Sequence, residues 1–400
     1  MKLTVLSFLF FLFSISHSVA QMKLTPGETF LTGIVMKKVF VSVDDHTVWG
    51  LNTDGKVYYK KEADPDFQVY PGTAGLAVTD ITGFSDGEMY FLTSPVVITF
   101  KDGVKTEIPV PFPGVTRINS ISVVHVKIPL NQEDDPHLPN KDWLAIATNK
   151  DMYMLDRGKT TGLRQYQYDN PPIVSEPDWQ ITNTGFNTVD FRYKYPSGRC
   201  FEADYATMSS MDYLMFGTIL PDKGLYPAIN CTLFGNQYFL PFVSNSDYRS
   251  LLNFWGTNDG LYVKNAEACY AGLILKKVIP AETINDLDEI YALTPIYKQN
   301  YVLAATNHGL YYTPASVYHE LFGATDIEKI NFIPLAAINE KVNGICVDTK
   351  VYASIQVGVQ FTYSSICQKV VWLATEKGIK KLYVGLDQDY YKNFLFSDLN

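Results

Sequence analysis

Short apolar runs rich in Phe, Tyr, Trp, Val and Ile alternate with polar turns along this chain. The clearest unit is Asn253–Val263. Phe254-Trp255 and Leu261-Tyr262-Val263 form two apolar arms around Thr257-Asn258-Asp259-Gly260. Asp-Gly supplies the positive φ of a tight corner at little steric cost, so the unit predicts a β-hairpin. Its relatives are Thr47–Tyr59, Glu88–Gly103, Trp143–Leu155, Tyr213–Tyr226, Tyr301–Tyr312 and Val371–Val384. A further apolar run precedes several copies: Ala77–Ile81, Ile118–Ile128, Asp288–Leu293 and Val342–Val347.

The threonine before each turn indexes the repeat. It falls at Thr53, Thr93, Thr148, Thr218, Thr257, Thr306 and Thr375, the first copy being the least regular. Steps of roughly 40 to 70 residues, each holding about four short strands, are the signature of a β-propeller. The expected fold is all-β: a seven-bladed propeller of four-stranded antiparallel blades. A single blade cannot bury both its faces, whereas a ring of blades does so and leaves no long open edge. Ala or Gly before the threonine suits a crowded inner position, and the aromatic before it suits the contact between blades. Ring closure is expected from the two termini, with Gly33–Val43 as the N-terminal candidate and Asp387–Asn400 helping from the other end. Ala315–Phe322 carries Val317 and Leu321 at helical spacing and predicts a short capping helix.

The general form apolar-Trp-apolar-Gly/Ala-Thr-x-x-Gly-Leu resembles two-component-regulator propeller repeats. Phe254–Tyr262, Val302–Tyr311 and Val371–Ile379 match it best, and Val48–Tyr59 also resembles tectonin-type repeats. The resemblance implies blade architecture. In that family such propellers often form the sensor part of a larger regulator, but this chain carries no kinase or DNA-binding part.

Composition refines the picture. Aromatics make up 14% of 400 residues and charged residues only 19%, which favours strands. A formal charge of −9 argues against nucleic acid as partner. Met1–Ala20 has Lys2 ahead of an apolar core at Leu6–Phe13, then Ser18-Val19-Ala20, and reads as a secretory signal peptide cleaved before Gln21. The mature chain, residues 21–400, is then one exported domain with no transmembrane segment. It would be extracellular, or periplasmic in a bacterium, and a monomer. Inserted loops are expected at about 129–142, with Glu133-Asp134-Asp135 read as a solvated run, and at about 170–179.

Five cysteines lack metal-ligand spacing. Cys346 and Cys367 flank an expected strand pair and are the first candidates for a disulfide. Cys200 with Cys231 comes second, and five buried thiols are the alternative. Asn230-Cys231-Thr232 is a glycosylation sequon, placed on an exposed loop.

No motif carries chemistry. HExxH, GxSxG, GxGxxG, the P-loop and the sialidase SxDxGxxW box are all missing. No catalytic residue, cofactor or metal is expected. Asp44-Asp45-His46 reads as a turn, and His308 as an exposed corner. The doublets Tyr58-Tyr59, Tyr311-Tyr312 and Tyr390-Tyr391 read as packing between blades before sugar stacking. These observations favour a binding module for protein or carbohydrate. The alternatives are an extracellular structural component and a polysaccharide-acting enzyme with channel carboxylates.

Overall fold

A computed structural model describes residues 22–42, 44–124, 143–148, 152–165, 186–191, 201–202, 214–218, 229–233, 252–257, 260–265, 275–280, 284–293, 298–319, 323–324, 326–357 and 362–386. After β1 (Met22–Phe30), the first sheet holds β2 (Met36–Val41), β3 (Val48–Asn52), β4 (Val57–Lys60) and β5 (Gln68–Val69). The second holds β6 (Asp80–Ser85), β7 (Glu88–Leu92), β8 (Val97–Lys101) and β9 (Val104–Ile108). The third holds β10 (Ile118–Val124), β11 (Trp143–Thr148), β12 (Met152–Asp156) and β13 (Arg164–Gln165). In the fourth, β14 (Phe186–Phe191) pairs with β16 (Leu214–Thr218), and β15 (Phe201–Glu202) lies between them in sequence. The fifth holds β17 (Ile229–Leu233), β18 (Leu252–Thr257), β19 (Gly260–Asn265) and β20 (Leu275–Pro280).

The sixth sheet is built on β21 (Ile284–Leu293), β22 (Lys298–Thr306), β23 (Gly309–Tyr312) and β26 (Ile333–Pro334). On it rides a small pair, β24 (Tyr318–His319) and β25 (Gly323–Ala324). The last sheet holds β27 (Val342–Val357), β28 (Thr362–Thr375) and β29 (Gly378–Leu386). The described strands thus form seven sheets, and every pairing is antiparallel.

The sheets close into a circle. β2 meets β6, β6 meets β10, β10 meets β14, β17 meets β21, β21 meets β27, and β27 returns to β2. β16 meets β17 between the fourth and fifth sheets. This is a β-propeller of mostly four-stranded antiparallel sheets. Its core lies between sheets. Trp49, Leu51 and Val57 pack with Val78, Ile81, Met89 and Phe91 of the second sheet. Trp372, Val370 and Ala374 of the last sheet pack with Met36, Val39 and Val48 of the first. The repeated aromatic therefore sits at the contact between neighbours, where alternation along the strand places it.

Closure differs from expectation. β1 pairs with β29 from Met22↔Leu386 to Phe30↔Ile379 and completes the last sheet as its outermost strand. Gly33–Val43 instead contains β2, the first strand of its own sheet. An outermost strand tolerates Pro26 and an irregular register between Pro26 and Thr29, and most of its residues are exposed. The other expected closing segment, Asp387–Asn400, lies outside the described residues. The capping helix is also corrected. Tyr318 and His319 pair with Asn300 and Gln299 as a strand, so an extended edge of β22 takes the backbone bonds a helical turn would have kept. Val317 is buried beside Leu261 and Ile327.

The index threonine is buried at Thr148, Thr306 and Thr375. Thr306 Oγ1 accepts from His308 N at 3.0 Å and donates to Gly309 O at 3.0 Å. Thr375 repeats this with Lys377 N at 3.1 Å and Gly378 O at 3.0 Å. Register assigns the equivalent place in the first copy to Asn52, opposite Met36, which accounts for the irregular Thr53. Asn52 Oδ1 accepts from Asp54 N at 3.1 Å and from Lys56 N at 2.7 Å. Gly309, at φ 135°, is required: a Cβ there would stand 2.3 Å from Ile338 O.

Around the axis a second repeat appears. The first strand of five sheets skips register at one residue: Lys37, Asn119, Asn187, Asn285 and Asn343. Asn285 Nδ2 donates to Val342 O at 2.8 Å, and Asn343 Nδ2 to Met36 O at 2.7 Å. The next position answers with acceptors. Asp286 Oδ2 takes Ile345 N at 2.7 Å, and Asp80 Oδ2 takes Ile121 N at 2.9 Å. First strands cannot pair with one another around a ring, so side chains satisfy their inner backbone groups.

Candidate functional site

The two faces of the ring are built differently. Links from first to second strand and from third to fourth emerge on one face. Turns between second and third strands and the links to the next sheet emerge on the other. On the second face the turns 307–308 and 376–377 are tight, and the link from β13 to β14 spans 166–185. On the first face the connections span 125–142, 192–213 and 234–251. There too β27 and β28 run on as a long hairpin, still paired at Val357↔Thr362. This elaborated face is the candidate functional surface. The expected loop at 129–142 belongs to it by position, the one at 170–179 falls in the link from β13 to β14 on the other face, and both lie outside the described residues.

The described part of its rim is an ionic network spanning four sheets. The β2–β3 connection carries Ser42, Asp44, Asp45 and His46, with His46 at φ 54°. His46 Nδ1 lies 2.6 Å from Oδ1 of Asp348 in the last sheet, whose side chain is only 5% exposed. Asp45 accepts from the Ser42 hydroxyl, from Thr47 N at 3.1 Å and from Asp86 N at 2.7 Å. Burial pushes the Asp45 carboxyl up, but these donors outweigh it and hold the group below its ordinary range. Lys61 pairs with Asp86 at 2.5 Å.

Arg157, after β12 of the third sheet, ties the rim together. Its Nε is 3.0 Å from Glu88 Oε2, and its other guanidinium nitrogen is 2.6 Å from Asp44 Oδ2. The guanidinium also lies 4.0 Å from the centre of the Phe84 ring. Glu88 is 8% exposed and takes a further bond from the Tyr90 hydroxyl at 3.2 Å. Burial first, then the Glu88 carboxylate, push the Tyr90 hydroxyl well above the usual phenol range.

This arrangement gives a stiff rim with compensated charge. The serine is no nucleophile: Ser42 is fully buried, and its hydroxyl is bound to Asp45 and to Thr47 O. Among the described residues no group of three or more His, Cys, Asp or Glu side chains could hold a metal ion. Neither His46–Asp348 nor Arg157–Glu88 was foreseen from the sequence, because the partners are 302 and 69 positions apart.

The expected site residues fall as follows. Cys346 stands opposite Trp372, and Cys367 opposite Val351. The two are therefore five positions out of register on paired strands, roughly 16 Å apart at about 3.3 Å per residue. A disulfide needs Cα atoms within about 7 Å, so this register does not bring the pair together. Asn230 lies in β17 opposite Trp255, in a strand rather than an exposed loop. Cys200 is outside the described residues. Tyr59 stacks on Trp49 at 5.6 Å and Tyr58 is buried against the last sheet. Tyr311 and Tyr312 pack into the contacts on either side of their sheet. Tyr390 and Tyr391 lie outside the described residues.

Among the described residues no helix is long and apolar enough to cross a membrane. No protein-family model matches the chain, and no curated protein matches it in sequence. Similar solved structures are β-propeller proteins. YCF48 from Cyanidioschyzon merolae is 14% identical at a TM-score of 0.45, with 91% of this chain and 98% of that one covered. The WD40 repeats of RRP9 are 7% identical at 0.47, with 91% and 98% covered. The extracellular domain of the hybrid two-component system BT4673 from B. thetaiotaomicron is 13% identical at 0.43, and 89% of this chain covers 39% of it. Scores this low carry nothing about function, and the propeller assignment stands on the circle of sheets itself.

Proposed function

We propose that the chain is a secreted, seven-bladed β-propeller interaction module whose ligand, a carbohydrate or another protein, docks on the elaborated face around the channel. The observation that carries this reading is the asymmetry of the two faces. Three long first-to-second connections and a hairpin extending past its blade lie on one face, while the other has two-residue second-to-third turns at 307–308 and 376–377 and one long link, 166–185. Loops mounted on a rigid scaffold are where binding residues concentrate. The seven described sheets and their closed circle of contacts support the blade count. Export is supported by the leader-like Met1–Ala20.

Binding is favoured over catalysis because the rim carboxylates are engaged. Asp44 and Glu88 pair with Arg157, Asp86 with Lys61 and Asp348 with His46. A glycan array combined with pull-down from the native secretome tests the proposal. Saturable capture should be lost when 125–142 is replaced by a short turn, with the circular dichroism spectrum retained. Failure to capture anything in either format defeats the reading.

A further inference from the structure

The hairpin of β27 and β28 outgrows its sheet. β28 pairs with β29 only as far as Val370↔Tyr383, yet β27 and β28 stay paired out to Val357↔Thr362. The protruding part has an unusual sequence. From Val351 to Gln368 there is no Asp, Glu, Lys, Arg, His or Pro, in a chain with 19% charged residues. Proteins normally guard an exposed strand edge with charge, proline or a bulge. Here the one such device is an irregular register between Val351 and Ala353, beyond which Ala353–Val357 pairs regularly.

An isolated two-stranded hairpin is marginal in water, so the arm gains from each added strand. One of its edges already accepts one. Phe201 and Glu202 of β15, from the fourth sheet's long connection, pair with Ser364 and Tyr363 of β28. On the other edge β27 pairs with β28 alone among the described strands. Register places Ala353, Ile355 and Val357 on one face of the arm with Ile366, Ser364 and Thr362, and Ser354 and Gln356 on the other with Ser365 and Tyr363.

We propose that this arm is a docking strand: β27, over Ala353–Val357, takes an extended, uncharged segment of a partner polypeptide by strand addition. Main-chain bonds supply the affinity. A segment alternating small apolar and uncharged polar residues matches the two faces of the arm. A charged segment would meet no counter-charge along it. The arm rises from the elaborated face, so the proposal rests on reading that face as the binding surface and names a polypeptide as the partner class.

The probe is a fluorescein-labelled peptide copying Thr362–Gln368 with Cys367→Ser, the strand that β27 already pairs with on its other side. Fluorescence anisotropy with the full chain should show saturable binding. Hydrogen exchange of the unaltered protein should show added protection confined to 351–357. Ser354→Pro and Ile355→Pro alternate along the edge, so one of them strikes an outward amide and should weaken binding at least ten-fold. No saturable binding, protection located elsewhere, or equal binding by both variants would overturn the proposal. So would a dimer in sedimentation velocity abolished by the same substitutions, which makes a second copy the occupant. Full protection of 351–357 in the free monomer would also overturn it, because the chain then covers its own arm. Exchange on the unaltered protein keeps the test decisive if a proline variant fails to fold. Glycan or secretome capture that survives a failed peptide test removes the arm proposal alone; loss of both removes the reading of the face.

Discussion

Replacing Arg157 with Met should destabilise the fold by about 3 kcal/mol, and the loss should be strongly coupled to Glu88. Glu88 is buried, so when its guanidinium partner leaves, water cannot take the partner's place. Breaking a buried ion pair from one side costs about 3–5 kcal/mol. Two features lower that figure here. The Arg157 side chain is 28% exposed, and Glu88 keeps the Tyr90 hydroxyl at 3.2 Å and Lys101 at 3.7 Å. About 2–3 kcal/mol remains after this discount for screening. Loss of the guanidinium over Phe84 adds about 0.5–1 kcal/mol. The contact with exposed Asp44 adds little.

The assay is urea unfolding of the mature chain, followed by tryptophan fluorescence, with the slope held constant between variants. Glu88→Gln removes the charge that Arg157→Met leaves stranded. The double variant should therefore be more stable than Arg157→Met alone by about 1–2 kcal/mol. A loss under about 1 kcal/mol for Arg157→Met, or strict additivity of the pair, would refute the claim that this contact holds three sheets together.

Three further outcomes are expected. Trp372→Ala should cost about 3–5 kcal/mol, read as a lower unfolding midpoint, because the ring fills the contact between the last and first sheets. Gly309→Ala should cost about 2 kcal/mol or more, since its Cβ would meet Ile338 O; Gly33→Ala, at φ 83° with nothing within 4 Å, should cost about 1 kcal/mol or less in the same melt. The folded Asp45 carboxyl sits below its unfolded value of ~3.9, so its contribution is present above that pH and is lost as pH falls through the folded value. Asp45→Asn should accordingly flatten the acid limb of a stability-versus-pH curve, and an unchanged limb would count against the Ser42–Asp45–Asp86 bonds.

What could be read in the sequence was what repeats. Trp49 and Trp372 hold the same place in two copies, and a place that recurs is explained by packing between neighbours. The Asn after an apolar residue at Asn119, Asn187, Asn285 and Asn343 recurs as well, but its meaning needs a register that composition does not supply. β1 was hidden because an outermost strand buries only alternate residues at its start, and Pro26 breaks its pattern. The adjacency of Cys346 and Cys367 was inferred from two strands that do pair, but strand pairing leaves the offset between partners open. The rim network joins residues that no local rule connects. His46 was read correctly as a turn residue, and Asp348 sits inside a strand, between Val347 and Thr349, with nothing local to mark its partner.

The two faces differ for a steric reason, and that reason bears on where function can vary. On the tight-turn face, Gly309 stands against Ile338 O and Gly378 against Phe30 O, at 2.3 Å from where a Cβ would be. In these two sheets the first residue of the third strand is thus wedged against backbone from the outermost strand or from the link to the next sheet. The index threonine, bonded forward to that same glycine, leaves room for only two residues in the turn. An insertion there would break the threonine bonds and move the glycine off its wall. On the other face the first-to-second connection meets no such wall, and lengthening a loop costs only about 0.6 kcal/mol per doubling. Insertions therefore collect at 125–142, 192–213 and 234–251 and in the β27–β28 arm, while the ring beneath stays constant. Variation is cheap in the first-to-second connections and expensive in the two-residue second-to-third turns, so any ligand specificity of this propeller is expected in the former rather than in the repeated unit.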